Sequence, residues 1–443
     1  MALSWQPILS VDDITQQQWR QLSDDNPDYS TPFLSYVFLK GLEMSGSVDG
    51  KTGWHSYHIG IFDSTDIGIG QNRQDNVVGR KAYENALGEG TMLENAVTSP
   101  ASKIAQANID AATQTKKLIG FIPCYLKTHS YGEYVFDHAW ANAYQHHQVP
   151  YYPKLVACIP FTPVTGSRML IDAKSLHSFE DITAFVLAST DNILEQARAS
   201  SFHYLFLPKY QSDRLAEDKL LQRLSVQFVW QNKGYENFDA FMQQMTSRKR
   251  RSIRKERAGS LVISETETVT IKRLSGDLVT KEVMADFYLC YQQTYLKRSG
   301  HTGYLTKAFF DYLQTQMRDN MLIVMAYSSE KCIASALFFY NDEQLFGRYW
   351  GALQDVSGLH FECCYYQGIE FAIENKLRQF NPGTQGEHKI LRGFEPSFCY
   401  SNHYLQHPDF QAAVDDFLQR EKIGVQQYKL QGESALPFKQ VNK

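Results

Sequence analysis

Cys332-Ile333-Ala334-Ser335-Ala336-Leu337, then Phe346-Gly347-Arg348-Tyr349, a helical stretch over about 360–376, and Phe380-Asn381-Pro382 together decide the fold. Their order is β-hairpin, third strand, helix, short strand. A similar order occurs earlier, in Leu118-Ile119-Gly120-Phe121-Ile122-Pro123, a turn, Tyr131-Gly132-Glu133-Tyr134, a helical stretch at about 179–200, and Phe206-Leu207-Pro208. Two copies of one supersecondary unit imply two packed halves, expected at 1–232 and 233–443. A chain of 443 residues has room for both, since single cores stop growing near roughly 250–300 residues. An aromatic content of 13% suits β-rich cores and aromatic-lined clefts.

Hairpin, helix and strand in this order form the central element of the GNAT acyltransferase fold. There the third and fourth strands splay apart and the acyl donor enters the gap. The expected class is therefore α/β (α+β), with two tandem GNAT-like halves and mixed, splayed sheets. In the second half the gap falls between a strand at about 343–350 and the strand ending at Pro382. Residues 63–117, rich in Asn, Gln, Gly, Thr and Ala, lack periodicity. They read as a largely disordered insertion in the turn of a hairpin whose strands are Trp54–Phe62 and Leu118–Leu126.

Both lips of the expected gap are chemically dense. One carries His360-Phe361-Glu362-Cys363-Cys364-Tyr365-Tyr366. The other carries Gly383-Thr384-Gln385-Gly386-Glu387-His388-Lys389-Ile390-Leu391-Arg392. Acids, bases and glycines beside core-type aromatics are costly to bury unless paired, so such a mixture points to a site. His388 is the candidate base for amine deprotonation, with Glu387 to orient or replace it. His360 and Glu362 complete the catalytic candidates. Glu362, Tyr366 and Glu370 share one helix face, and a helix N-terminus complemented by Glu362 is an equal reading. Amides around Gly383, Gln385 and Gly386 would stabilise an oxyanion. Tyr349, Tyr365 and Tyr366 would contact substrate, and Lys389 and Arg392 would neutralise donor phosphates. His360, Glu362, Glu387 and His388 are metal-ligand types, but their spacing matches no zinc signature and no metal is expected.

Thr246–Arg257 holds seven basic residues and one acid, and places Arg250, Arg254 and Arg257 on one helix face. In a chain of net charge −4 this cluster suits a phosphate-bearing donor, whereas a solvated helix with acidic partners is the plainer reading. In the first half, His129, Tyr131, Lys154 and Arg168 would line an acceptor groove between the halves. His203 reads as structural.

Several segments resemble one family. They are Phe33-Leu34-Ser35-Tyr36, Tyr125 to Asp137, Tyr151-Tyr152-Pro153-Lys154-Leu155, Pro160 to Gly166 and the two dense stretches above. The resemblance is to the FemAB-like family of bacterial N-acyltransferases, labelled peptidoglycan biosynthesis or recognition proteins, and covers most of the chain outside 63–117. It implies a tandem GNAT-like architecture and acyl or aminoacyl transfer to a small-molecule or precursor amine. The donor would be acyl-CoA or aminoacyl-tRNA, used as co-substrate, with no permanent cofactor. The pyrophosphate loop of CoA-dependent GNAT enzymes is degenerate here, at Arg348-Tyr349-Trp350-Gly351-Ala352-Leu353. A non-catalytic protein that recognises a phosphorylated or cell-wall ligand is the alternative.

Seven scattered cysteines without C-x-x-C argue against a zinc ribbon or a disulfide scaffold. Neither a signal-like N-terminus nor an apolar run near the roughly 20 residues of a membrane helix is present, and a cytoplasmic location is expected.

Overall fold

The computed structural model describes residues 2–24, 31–48, 51–64, 116–384 and 386–439. Fifteen strands are found among them. The first half supplies β1 (Ala2–Ile8), β2 (Trp54–Ser56), β3 (His58–Ser64), β4 (Lys116–Ile122), β5 (Cys124–Lys127), β6 (Lys154–Ala157), β7 (Leu170–Ile171), β8 (Ser201–Leu207) and β9 (Leu221–Gln231). The second supplies β10 (Thr270–Ser275), β11 (Met321–Ser328), β12 (Lys331–Tyr340), β13 (Gln344–Ala352), β14 (Gln379–Asn381) and β15 (Glu395–Leu405). They form a four-stranded sheet, β1-β3-β4-β7, and an eleven-stranded sheet, β10-β11-β12-β13-β14-β9-β15-β8-β6-β5-β2.

The repeat is present. In the second half β12 pairs antiparallel with β13, which runs parallel to β14. In the first half β5 pairs antiparallel with β6, which runs parallel to β8. The parallel crossovers carry helices, as such connections require. These are Phe179–Ala188 and Thr190–Ala197 in one half, and in the other Leu359–Phe361, a π-helical turn Glu362–Tyr366 and Gln367–Glu374. The last strand of each half crosses over: β9 pairs with β14, and β15 pairs with both β8 and β9. The two halves thereby share one continuous sheet.

The first half differs from expectation in its third strand. Tyr131–Tyr134 is an irregular turn, with Gly132 at φ +82° and Tyr134 at φ +62°, and the strand is β6. A Cβ at Gly132 would lie 2.7 Å from the Phe161 ring, so only glycine fits the close turn. Glu133 is drawn inward by the buried ammonium of Lys154, 2.8 Å from its Oε2. The strands flanking the long insertion do pair, β3 with β4 and β2 with β5. Positions 65–115 of the insertion lie outside the described residues.

A core spanning both halves holds the arrangement. Phe33 packs edge-on against Phe339 and Phe346 with ring centroids 5.3 Å away in each case. Each fully buried Phe contributes about 1.5–3 kcal/mol. Helix Lys281–Ser299 lies directly on β13, where Gly351 leaves room for the helix backbone. A Cβ there would come within 1.7 Å of the Cys290 carbonyl oxygen.

Candidate active site at the splayed strands

β13 and β14 pair only over Gln344–Phe346 and Gln379–Asn381. Pro382 then ends the pairing, since it has no N–H to offer. Where the strands part, β13 also slips one residue against β12: Leu337 faces Tyr349 and Phe338 faces Gly347, so Arg348 is bulged out. A cleft of about 580 Å³ opens at this point. Its walls are β13, helix Lys281–Ser299, the start of the π-bulged helix, and the Gly383–Lys389 loop.

Both lips meet in this cleft. The rings of His360 and His388 are 6.2 Å apart, and Nε2 of His388 lies 2.8 Å from the Tyr365 hydroxyl. Burial holds His360 at a pKa of about 4, helped by the nearby His388 and Arg298. Burial, then Arg392 and Lys389, also lower the His388 pKa. Both imidazoles are therefore neutral at neutral pH. Lys389 donates to the Gly383 and Thr384 carbonyls at 2.7 and 3.1 Å, and burial brings its pKa down to about 7. Arg348 donates Nη2 to the Phe161 carbonyl, while its Nε has no hydrogen-bond partner. Tyrosines form the floor, among them Tyr134, Tyr291, Tyr295 and Tyr349. Arg298, Arg348 and Lys389 line the cleft, and among the described residues none of those lining it is a carboxylate.

His360, His388, Tyr365, Tyr349, Lys389, Gly383 and Gly386 thus reach the cleft as expected, while other candidates do not. Glu387 is exposed, hydrogen-bonds Tyr428, and faces a second cavity. Glu362, 1% exposed, lies on the opposite helix face and receives Nε and Nη2 of Arg257 at 2.9 and 2.7 Å. Tyr366, on the same face, donates to Glu256. Arg257 also binds Glu370, and Arg392 binds Glu256 and the His388 carbonyl, so neither guanidinium is free for a phosphate. Arg250 is turned to the Met245 carbonyl, and only Arg254 of the expected trio is exposed. The Gly383 amide donates to Asn381 Oδ1 and is unavailable to an oxyanion. Gln385 lies outside the described residues.

The expected first-half groove is not built. Lys154 is fully buried between Glu133, Asp137 and Ser130. His129 is held by the Thr52 carbonyl, and Tyr131 projects into solvent. Arg168 is fully buried and donates to the carbonyls of Val164, Gly166, Ser167 and Leu205. Its partner segment also gives the Gly166 amide to Phe206. Where β13 and β14 leave a cleft, the matching gap beyond β6 and β8 is filled by this segment. His203, read as structural, is buried against His403.

A family model described as peptidoglycan biosynthesis/recognition matches residues 10–71 and 93–440. The chain belongs to the FemAB-like family. No curated protein matches its sequence. Solved structures similar to this FemAB-like chain include FemX, with 9% identity and a TM-score of 0.45 over 91% of this chain and 98% of that one. A tandem GNAT protein from the clavulanic acid biosynthesis pathway has 8% identity and a TM-score of 0.39, over 92% and 99% of the two chains. The C-terminal domain of a putative lysylphosphatidylglycerol synthetase from Agrobacterium fabrum has 10% identity and a TM-score of 0.40, over 66% and 84%. Among the described residues no helix is long and apolar enough to cross a membrane, and no His, Cys, Asp and Glu group could hold a metal.

Sequence reading missed Arg348 as a cleft residue, along with Arg298, Tyr134, Tyr291 and Tyr295. One signal was available: Tyr288, Tyr291 and Tyr295 recur at helical spacing, a stripe of hydroxyl-bearing aromatics facing the strand.

Proposed function

We propose that this protein is an N-acyltransferase. It moves an acyl or aminoacyl group from a phosphate-bearing donor, an acyl-CoA or an aminoacyl-tRNA, directly to the amine of a small molecule or cell-wall precursor. The observation that carries this reading is the meeting of His360, His388 and Tyr365 in an open, carboxylate-free cleft at the parted strands.

The amine nitrogen attacks the donor carbonyl, forming the N–C bond. The tetrahedral oxyanion collapses, breaking the C–S bond of a thioester or the C–O bond of an aminoacyl ester. The Tyr365–His388 pair takes the amine proton, the hydroxyl relaying it to Nε2, and the same proton is then available to the leaving group. Arg348 supplies positive charge for the oxyanion and donor, and Lys389 adds to it in the fraction of molecules in which it is protonated. Arg298, at the exposed end of the lining, faces incoming phosphates.

Single-turnover transfer from each donor class, compared with donor binding, tests the proposal. His388→Ala should retain donor binding and lose transfer by about a hundredfold or more. If donors bind but none is ever consumed, the protein is a recognition module instead.

A further inference from the structure

His388 and Glu387 are adjacent, yet their side chains enter different cavities. The second cavity, about 530 Å³, is floored by β9 and β15 and walled by the long helix Pro408–Ser434. It meets the first at Tyr134, Thr384 and Gly386, which line both. The loop carrying His388 therefore stands between two adjoining chambers of opposite electrostatic character. The first is lined by cations without a carboxylate. Among the described residues that line the second, the sole cation, Arg223, is committed to Glu421 through two bonds of 2.8 and 2.7 Å. That leaves Glu387 without a cationic partner among the lining residues, and its carboxylate is met only by the Tyr428 hydroxyl. The remaining wall is mixed, with apolar Val226, Phe228 and Val425.

We propose that this second cavity is the acceptor's entrance, and that it takes a protonated primary amine on an apolar stem. The ammonium is drawn to Glu387, gives one proton to solvent as it passes Tyr134 and Thr384, and meets the Tyr365–His388 pair as the free amine, while an anionic donor occupies the other chamber. This deepens the transferase reading and rests on it. Two like-charged substrates would gain nothing from chambers of opposite sign; an ammonium and a phosphate-bearing donor would.

Helix Pro408–Ser434 provides the test. A Cβ added at Gly424 meets nothing within 4 Å, so Gly424→Trp can project into the cavity without displacing core. It also removes a helix-weakening glycine. Hexylamine and hexanoate serve as probes, titrated at millimolar concentration by ligand-detected NMR. Hexylamine should bind the wild type more tightly than hexanoate, and Gly424→Trp should abolish its binding. Glu387→Gln should weaken it about threefold, as expected for an exposed charge pair. Arg348→Ala, in the other chamber, should leave it unchanged. Unchanged hexylamine binding in Gly424→Trp, equal binding of hexanoate, or no binding to the wild type would each overturn the assignment. The readout needs no turnover, so a failure of acyl transfer is seen separately, in the single-turnover assay.

Discussion

The Tyr365 hydroxyl lies 2.8 Å from Nε2 of His388, joining a helix that follows β13 to a turn that follows β14. Neither residue could do this if the two strands stayed paired to their ends. The splay that makes room for a donor also brings a neutral imidazole against a buried hydroxyl. Burial raises the Tyr365 pKa, so the hydroxyl keeps its proton and can pass it on.

The His388 pKa is lowered, so the imidazole stays unprotonated at neutral pH. The transfer rate should fall only as pH drops through a value below the usual 6.5, and His388→Ala should lose this acid limb along with the activity. Tyr365→Phe should retain part of the rate, since the imidazole remains. Stability follows the same sign. With His360 held at about 4, the unfolded chain binds a proton between about 4 and 6.5 that the folded chain does not. Stability should therefore fall on acidification through this window, and His360→Phe should fall less. Urea unfolding at stepped pH measures it.

Arg257 clamps the back of the site. Its loss in Arg257→Met leaves Glu362, 1% exposed, with only the Gln367 amide donating to it at 2.7 Å. Leaving a buried carboxylate uncompensated costs about 3 kcal/mol, read by urea unfolding. Glu362→Gln should be milder and should transfer at near the wild-type rate per folded molecule. A collapse of the chemical step in folded Glu362→Gln would restore the acid to the catalytic group.

Arg168 does for the first half what an open cleft prevents in the second. Arg168→Met strands four carbonyls that the guanidinium now satisfies. The expected cost is about 3 kcal/mol, read by urea unfolding. Transfer at the β13/β14 cleft should be unchanged per folded molecule. Loss of transfer in excess of the loss of folded protein would place chemistry in the first half.

The second-half unit was legible because its strands, helix and Pro382 follow ordinary periodicity, and the two dense stretches had to meet wherever β13 and β14 ended. The third strand of the first half was not. Tyr131–Tyr134 matches Phe346–Tyr349 in sequence and so reads as a strand, but Lys154, fully buried, needs Glu133 and Asp137 beside it, and satisfying that charge bends the chain. Helical spacing correctly grouped Glu362, Tyr366 and Glu370 on one face. It carries no information on what that face meets, and here it meets the basic helix, whose Glu256 and Arg257 consume it. The opposite chambers of Glu387 and His388 depend on a turn of Glu387–Arg392 that no pattern in the residues announces.

Gly351 carries the last prediction. Cys290 and Tyr291 lie so close to it that a methyl group must displace backbone: the three nearest atoms are the Cys290 carbonyl oxygen and carbon at 1.7 and 2.1 Å and the Tyr291 nitrogen at 2.8 Å. Gly351→Ala therefore has to lift helix Lys281–Ser299 from β13, at a cost near the upper end of overpacking, about 3 kcal/mol. That helix also carries Tyr291, Tyr295 and Arg298 into the cleft, so donor KM should rise while the Tyr365–His388 pair, on other elements, keeps its pH profile. A rise in donor KM with an unshifted acid limb is the expected signature. An unchanged KM in folded Gly351→Ala would mean that the helix wall does not touch the donor.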